Sequence, residues 1–321
     1  MRLRLIGAIL SLAALSAAPP RAFPVKLIAG AFPIDRQPDG NTVIFEDTAG
    51  LIVIDTGRHK AHQHAILDYA RERRKPIVAI VNTHWHLDHS GGNQEVREIY
   101  PAAKIYTSTA IYGALDRFLA HSLQNGRKKL EDPSVPEGDK ADIRLGIEAI
   151  TDRHDLLPDV AVTRLTRLPY AGGALELRLA PFAATEGDTW VYEPVKGVVA
   201  AGDLVVLPLP FFDTACPTGW RKALQVIDRT DFATLYPGHG PVLSHAGFSR
   251  YRWAFDRLLD CADGPSPKQA CIDGWSRDAA PWLTSAQERQ QAQDYLDYYI
   301  DKVLRDPVKQ AELCARTKRA R

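Results

Sequence analysis

The stretch Thr83-His84-Trp85-His86-Leu87-Asp88-His89-Ser90-Gly91-Gly92 places three imidazoles and a carboxylate within six residues. It follows Pro76-Ile77-Val78-Ala79-Ile80-Val81, an almost wholly apolar run of the kind that forms a strand buried on both faces. Residues two apart on an extended backbone point to the same side, so His84 and His86 share a face where that strand ends. Asp88 and His89 follow as the chain turns toward a helix. Neutral imidazole with carboxylate is a borderline donor set suited to zinc. The alternative is a surface histidine cluster that holds nothing.

Upstream, residues 25–28, 42–45 and 51–54 read as short strands separated by turn residues, an antiparallel start whose third member runs into Asp55-Thr56-Gly57. A helix is expected over 61–73. Downstream, Asn93 is expected to cap a short helix that ends before Pro101, and a strand is expected over 104–106. From about 108 to 159 the pattern is helical and polar, with Ile111, Leu115, Phe118, Leu119 and Leu123 on one face. Strand signals return at 162–165, 174–179, 189–192, 197–201 and 232–236. The fourth of these leads into Gly202-Asp203 and the fifth into Pro237-Gly238-His239-Gly240. Near the end, Leu296, Tyr299, Ile300, Val303 and Leu304 recur at helical spacing, a stripe expected to dock on the body. Strands and helices in both halves predict an α/β fold, two mixed sheets sandwiched between helices. The expected organisation is one catalytic domain over 19–260 with a helical insertion at about 108–159, then a helical extension over 261–321.

The decisive stretch resembles the H-x-H-x-D-H signature of the metallo-β-lactamase superfamily. Three further elements resemble that family in its own order: Leu51 to Gly57 its early strand and D-T-G turn, Ala201-Gly202-Asp203 its A-G-D element, and Pro237-Gly238-His239-Gly240 its late P-G-H-G. The resemblance implies an αββα sandwich with metals at the edge where strands end in loops. It implies that His84 and His86 belong to a first metal site, that Asp88, His89 and His239 form a second, and that Asp203 bridges them. The family's true β-lactamases usually carry Cys or Ser at that bridge, whereas aspartate is typical of its thioesterase, lactonase, phosphodiesterase and sulfur-metabolism branches.

One position departs from the family. A third first-site histidine normally comes from G-H-T-x-G-D, and here Thr185, Gly187 and Asp188 align while Ala184 stands where the histidine would be. Alanine cannot ligate. A catalytic zinc needs about three protein ligands and an open position, so one zinc is expected tightly held in the second site, with the first weak, empty or completed by a substitute. Glu186 is the nearest carboxylate; the alternative for it is an exposed turn residue. His59, His62 and His64 follow the D-T-G turn, but their offsets do not converge well on a metal.

The implied function is a zinc-dependent hydrolase acting on a small ester, thioester, lactone or amide-like substrate. Bound metal would lower the pKa of its water to about 7 and supply hydroxide, with Asp88 orienting that water. Two alternatives remain open: a metal-binding protein with little or no hydrolytic activity, or an iron-dependent sulfur or redox enzyme. The apolar run 204–212 and nearby Trp220 either line a substrate pocket or pack in the core.

Composition agrees with a small-molecule enzyme. The 321 residues are 45% apolar, and 40 basic against 39 acidic side chains leave no field to attract nucleic acid or an anionic membrane. Arg2 and Arg4, then an apolar run to Leu15 and small residues to Ala18, form the three-part layout of a secretory signal over 1–18. The run falls short of the roughly 20 residues of a stable membrane span. Export to the periplasm or medium is therefore expected, which permits disulfides among Cys216, Cys261, Cys271 and Cys314. Cys261 and Cys271 bracket a turn-rich segment that closes easily, although four cysteines allow three connectivities and buried free thiols are the alternative. The oligomeric state is left open.

Overall fold

A computed structural model describes residues 24–31, 36–170 and 175–315. The first of two six-stranded sheets runs in chain order through β1 (Val25–Ile28), β2 (Thr42–Glu46), β3 (Leu51–Ile54), β4 (Ile77–Val81), β5 (Lys104–Ser108) and β6 (Val160–Val162). Its first three strands are antiparallel and the rest parallel. Parallel neighbours need long crossovers. These are supplied by α1 (Lys60–Arg73), then α2 (Leu87–Ser90) with α3 (Asn93–Ile99), then α4 (Ala110–Asp116), α5 (Phe118–Glu131) and α6 (Glu137–Thr151).

The second sheet contains β7 (Thr166–Arg167), β8 (Glu176–Pro181), β9 (Gly187–Glu193), β10 (Val198–Val206), β11 (Thr234–His239) and β12 (Leu243–Ser244), again in order. Only β10 and β11 are parallel, and α7 (Pro217–Asp228) connects them. Then follow α8 (His245–Asp263), α9 (Lys268–Asp278), α10 (Ala286–Tyr299) and α11 (Pro307–Cys314).

Strand alternation builds the layers. Val43, Phe45, Ile52 and Ile54 meet Leu177, Val191 and Ala200 between the sheets. Their neighbours Ile44, Leu51 and Val53 face the other way, onto Ile66, Leu67 and Val96 of α1 and α3. Each large aliphatic side chain so buried stabilises the fold by about 1.5–3 kcal/mol. On the far side of the second sheet, Trp220 packs with Phe248, Tyr251, Phe255 and Trp275. Leu296, Tyr299, Ile300, Val303 and Leu304 join that cluster, all buried, so the predicted stripe docks on the body, with a π-helical turn over its last part. Disulfides Cys216–Cys314 and Cys261–Cys271 tie α11 to the start of α7 and α8 to α9.

Several expectations shift. The helix after residue 108 is interrupted at Arg117, which separates α4 from α5. Asn93 does not cap α3; Gly92 takes that place, and the Asn93 side chain bonds Thr56, Asn82 and the Asp155 carbonyl. The strand expected over 162–165 lies earlier, at β6, and β10 runs on through Asp203 to Val206 rather than ending at 201. The signal over 1–18 falls outside the described residues. Among the described residues no helix is long and apolar enough to cross a membrane.

Candidate metal centre

The strand ends do the positioning. Asp55 closes β3 in a left-handed conformation, φ +62°, and its buried carboxylate becomes a hub. It accepts from the Thr83 backbone N–H and hydroxyl, both at 2.7 Å, and from His89 Nδ1 at 2.8 Å. Burial raises its pKa, against the pull of His89 and Thr83.

Donor accounting then settles the tautomers. The single Thr83 hydroxyl proton goes to Asp55, so Thr83 Oγ1 accepts from His84 Nδ1 at 3.1 Å. That leaves His84 Nε2 as a lone pair, buried and without a hydrogen-bond partner. Thr214 Oγ1 donates to the Ala184 carbonyl at 3.0 Å and so accepts from His86 Nε2 at 3.1 Å, leaving Nδ1 of His86 as the lone pair. His89 donates through Nδ1 to Asp55, which directs its Nε2 inward. Outer partners that fix imidazole tautomers in this way are the usual support of metal-ligating histidines.

The inward-facing atoms converge. Asp88, His89 and His239 form one group and His84, His86 and Asp203 another, with one donor atom per residue and all donors of a group within 4.8 Å of one another. His89 Nε2 and His239 Nε2 lie 3.2 Å apart, and Asp88 Oδ2 lies 3.1 Å from His239 Nε2. Asp203 straddles the groups, its Oδ1 3.1 Å from His89 Nε2 and its Oδ2 3.6 Å from His84 Nε2. Two glycines permit this. A Cβ on Gly238 would lie 2.0 Å from Asp203 Oδ1, and Gly202, at φ +53°, packs where a Cβ would meet Thr83 at 2.4 Å.

The electrostatics favour a cation. Burial disfavours charge on His89, but Asp203, Asp88 and Asp55 outweigh it and lift its pKa well above the ordinary value. Burial likewise opposes ionisation of Asp88 and Asp203, yet His89 and His239 hold both below the usual carboxylate range. Burial, reinforced by His89 and His86, keeps His84 neutral, its ligating form. The residues fit a metal ion whose charge would replace the proton on His89.

Ala184 is buried where the third histidine of the first group is missing, and Glu186 does not fill the gap, since its carboxylate pairs with Arg117. Asp188 instead accepts from the Thr185 N–H and hydroxyl, and burial pushes its pKa up to about 7. The histidines after the turn lie outside both groups. His59 bridges Asp39 and Asp142, His62 bonds Thr42, and His64 sits near Glu95.

A cavity of about 710 Å³ opens over the centre. His86, Asp88, Asp203 and His239 line it on one side, and Trp85, Phe118, Ile143 and Ile147 line it from the 84–151 segment. The run 204–212 divides between the two readings: Val206 and Phe211 line the cavity, as does Trp220, while Leu204, Leu207 and Phe212 are core. Tyr299 donates to Asp213, and Tyr295 stacks edge-on against Phe211, so the last helices brace the loop that carries Thr214.

Sequence reasoning missed Asp55, Thr83 and Thr214 as supporting residues. A carboxylate at the end of a buried strand signals the first; Thr214 has no signal, because its role depends on a loop crossing back beside His86.

The metallo-beta-lactamase superfamily model matches residues 36–239, and the chain belongs to that family. It is 29% identical over 180 residues to an (R)-specific secondary-alkylsulfatase of Pseudomonas sp, covering 51% of this chain and 27% of that protein. It is 39% identical over 69 residues to a hydroxyacylglutathione hydrolase of Synechococcus sp., covering 22% and 26%. The matched segments thus span about a quarter of each relative. Among solved structures, the stereoselective inverting sec-alkylsulfatase Pisa1 from Pseudomonas sp. superposes with a TM-score of 0.54 at 16% identity, covering 84% of this chain and 49% of that one, a likeness of fold.

Proposed function

We propose that the protein is an exported zinc-dependent hydrolase of a small ester, thioester, lactone or sulfate-ester substrate, working mainly through one metal. The convergence of Asp88, His89 and His239 supports this reading most directly. These three would hold the tight metal, and Asp203, whose Oδ1 lies beside His89 Nε2, would add a fourth donor. The first group, with His84 Nε2, His86 Nδ1 and a shared Asp203, would bind a metal more weakly for want of a histidine at 184. When bound, the metal supplies Lewis acidity and acidifies water. Asp88 faces the cavity, where its carboxylate would orient the attacking water, and the apolar wall excludes bulk water from the substrate. The two disulfides fit an oxidising compartment.

Metal analysis of the purified mature protein, paired with turnover on ester, thioester, lactone, β-lactam and secondary alkyl sulfate substrates, tests this. About one zinc per chain and chelator-sensitive turnover on at least one of them are expected. Ala184 favours a second reading, a metal-binding protein without turnover. Tight zinc with no activity across the panel would select it.

A further inference from the structure

Arg58 presents to the cavity wall a guanidinium that has no hydrogen-bond or ion-pair partner among the described residues. Its backbone is fixed independently of the side chain: its N–H donates to Asp39 Oδ1 at 2.6 Å and its carbonyl accepts from Gln63 Nε2 at 2.9 Å. The side chain runs beneath α6, with Nη1 3.7 Å from where a Cβ on Gly146 would stand. Its Nε is buried and makes no hydrogen bond, and no carboxylate of the described residues pairs with the group. Other arginines of this region are paired, Arg36 with Asp142, Arg97 with Asp155 and Arg117 with Glu186.

The carboxylates that share the cavity are already engaged. Asp142 takes Arg36 and His59, Asp213 takes the Tyr299 hydroxyl, and Asp88 and Asp203 belong to the donor groups. Lys129 and Asp139, one of each sign, come from the end of α5 and the start of α6. Arg58 is near enough to Asp88 to favour its charged form without bonding it. A partly buried cation left unpaired is costly, and a planar guanidinium matches an oxyanion with two parallel hydrogen bonds. Beyond it the walls are apolar, with Trp85, Leu87, Ile143, Ile147 and Ile150 offering room for an aliphatic chain.

We propose that Arg58 is the anion-recognising residue of this cavity and that the ligand is an amphipathic anion, a carboxylate or sulfate held at Arg58 with its aliphatic tail along α5 and α6. This rests on reading the cavity as the hydrolase's substrate site. Calorimetric titration of the metal-free and zinc-loaded full chain with octanoate, octyl sulfate and neutral 1-octanol tests it. In the metal-free protein at least one anion binds about tenfold or more tightly than 1-octanol, as a charge-assisted pair predicts. The octanoate and octyl sulfate arms tell which headgroup is preferred. Arg58→Gln brings the anions to the level of 1-octanol while leaving 1-octanol unchanged, and Arg58→Lys keeps part of the preference. Equal binding of anions and alcohol by the wild type, a preference that survives Arg58→Gln, or loss of 1-octanol binding along with the anions would each overturn the assignment. An Arg58-dependent preference without turnover on any substrate sinks the hydrolase reading alone. Turnover with a preference indifferent to Arg58 sinks this one alone.

Discussion

The two donor groups share a carboxylate and nearly touch, yet they are built differently. Asp88, His89 and His239 supply three donors without borrowing one from the other group, with His89 locked by the Asp55 hub and Asp203 close by. The group of His84, His86 and Asp203 has tautomers prepared just as firmly, by Thr83 and Thr214, but Ala184 leaves it one imidazole short. Preparation of ligands and number of ligands are therefore separate properties. Losing one donor has not released the supporting shell, because Thr83 also ties Asp55 and Thr214 also ties the Ala184 carbonyl.

The largest expected effect breaks the complete group. His239→Ala removes one of its three donors, and zinc content measured by elemental analysis after dialysis should fall from about one per chain to near zero. Unchanged content would place the tight metal elsewhere. Next comes the hub. Asp55→Asn turns an amide nitrogen toward His89 or toward Thr83, and zinc affinity should weaken about 10- to 100-fold, the usual cost of losing an outer partner. Competition against a chromogenic chelator reads this. An affinity within a factor of two of wild type would mean the hub does not set the His89 tautomer.

Much of this contrast was legible in the chain. His84, His86, Asp88 and His89 lie within the bend and short helix that follow β4, so they fall close together through local sequence alone, and β3 and β4 read clearly from their apolar runs. The sandwich followed because alternating apolar residues must find two layers. Two-residue strands such as β7 and β12 have too few residues to show a period. The break at Arg117 came without glycine or proline, and the role of Thr214 depends on a contact 128 residues away in sequence. Arg58 illustrates the same limit, since a surface arginine and one beneath a helix with no partner among the described residues are the same letter.

A smaller change would sharpen the contrast from the other side. Ala184→His restores a third imidazole to the first group while Thr214 still holds His86, and zinc content at micromolar free metal should rise from about one toward two per chain. Content that stays at one would mean that the missing donor is not what weakens this group.

The smallest effect lies at the edge of the complete group, where His59 stands between Asp39 Oδ2 at 2.8 Å and Asp142 Oδ1 at 3.0 Å. Both ring nitrogens must donate, so the bridge requires the imidazolium. The hydrogen bond to Asp39 raises the His59 pKa, burial opposes it, and Asp142 adds to the rise. A histidine pKa raised on folding gives stability that is fully present below the unfolded value near 6.5 and is lost as pH climbs through the folded value. Asp142 sits on α6, over the cavity, and Asp39 precedes Gly40, whose N–H donates to the Asp88 carbonyl. Hydrogen exchange over residues 137–151, corrected for intrinsic rates, should show protection falling with rising pH above neutrality in the wild type. In His59→Gln it should be lower at pH 6 and should not fall in the same way. Because Asp88, His89 and His239 keep their own partners, zinc content should not follow that loss. If it does, the complete group depends on the helical wall, and the separation between ligand number and supporting shell breaks down at this point.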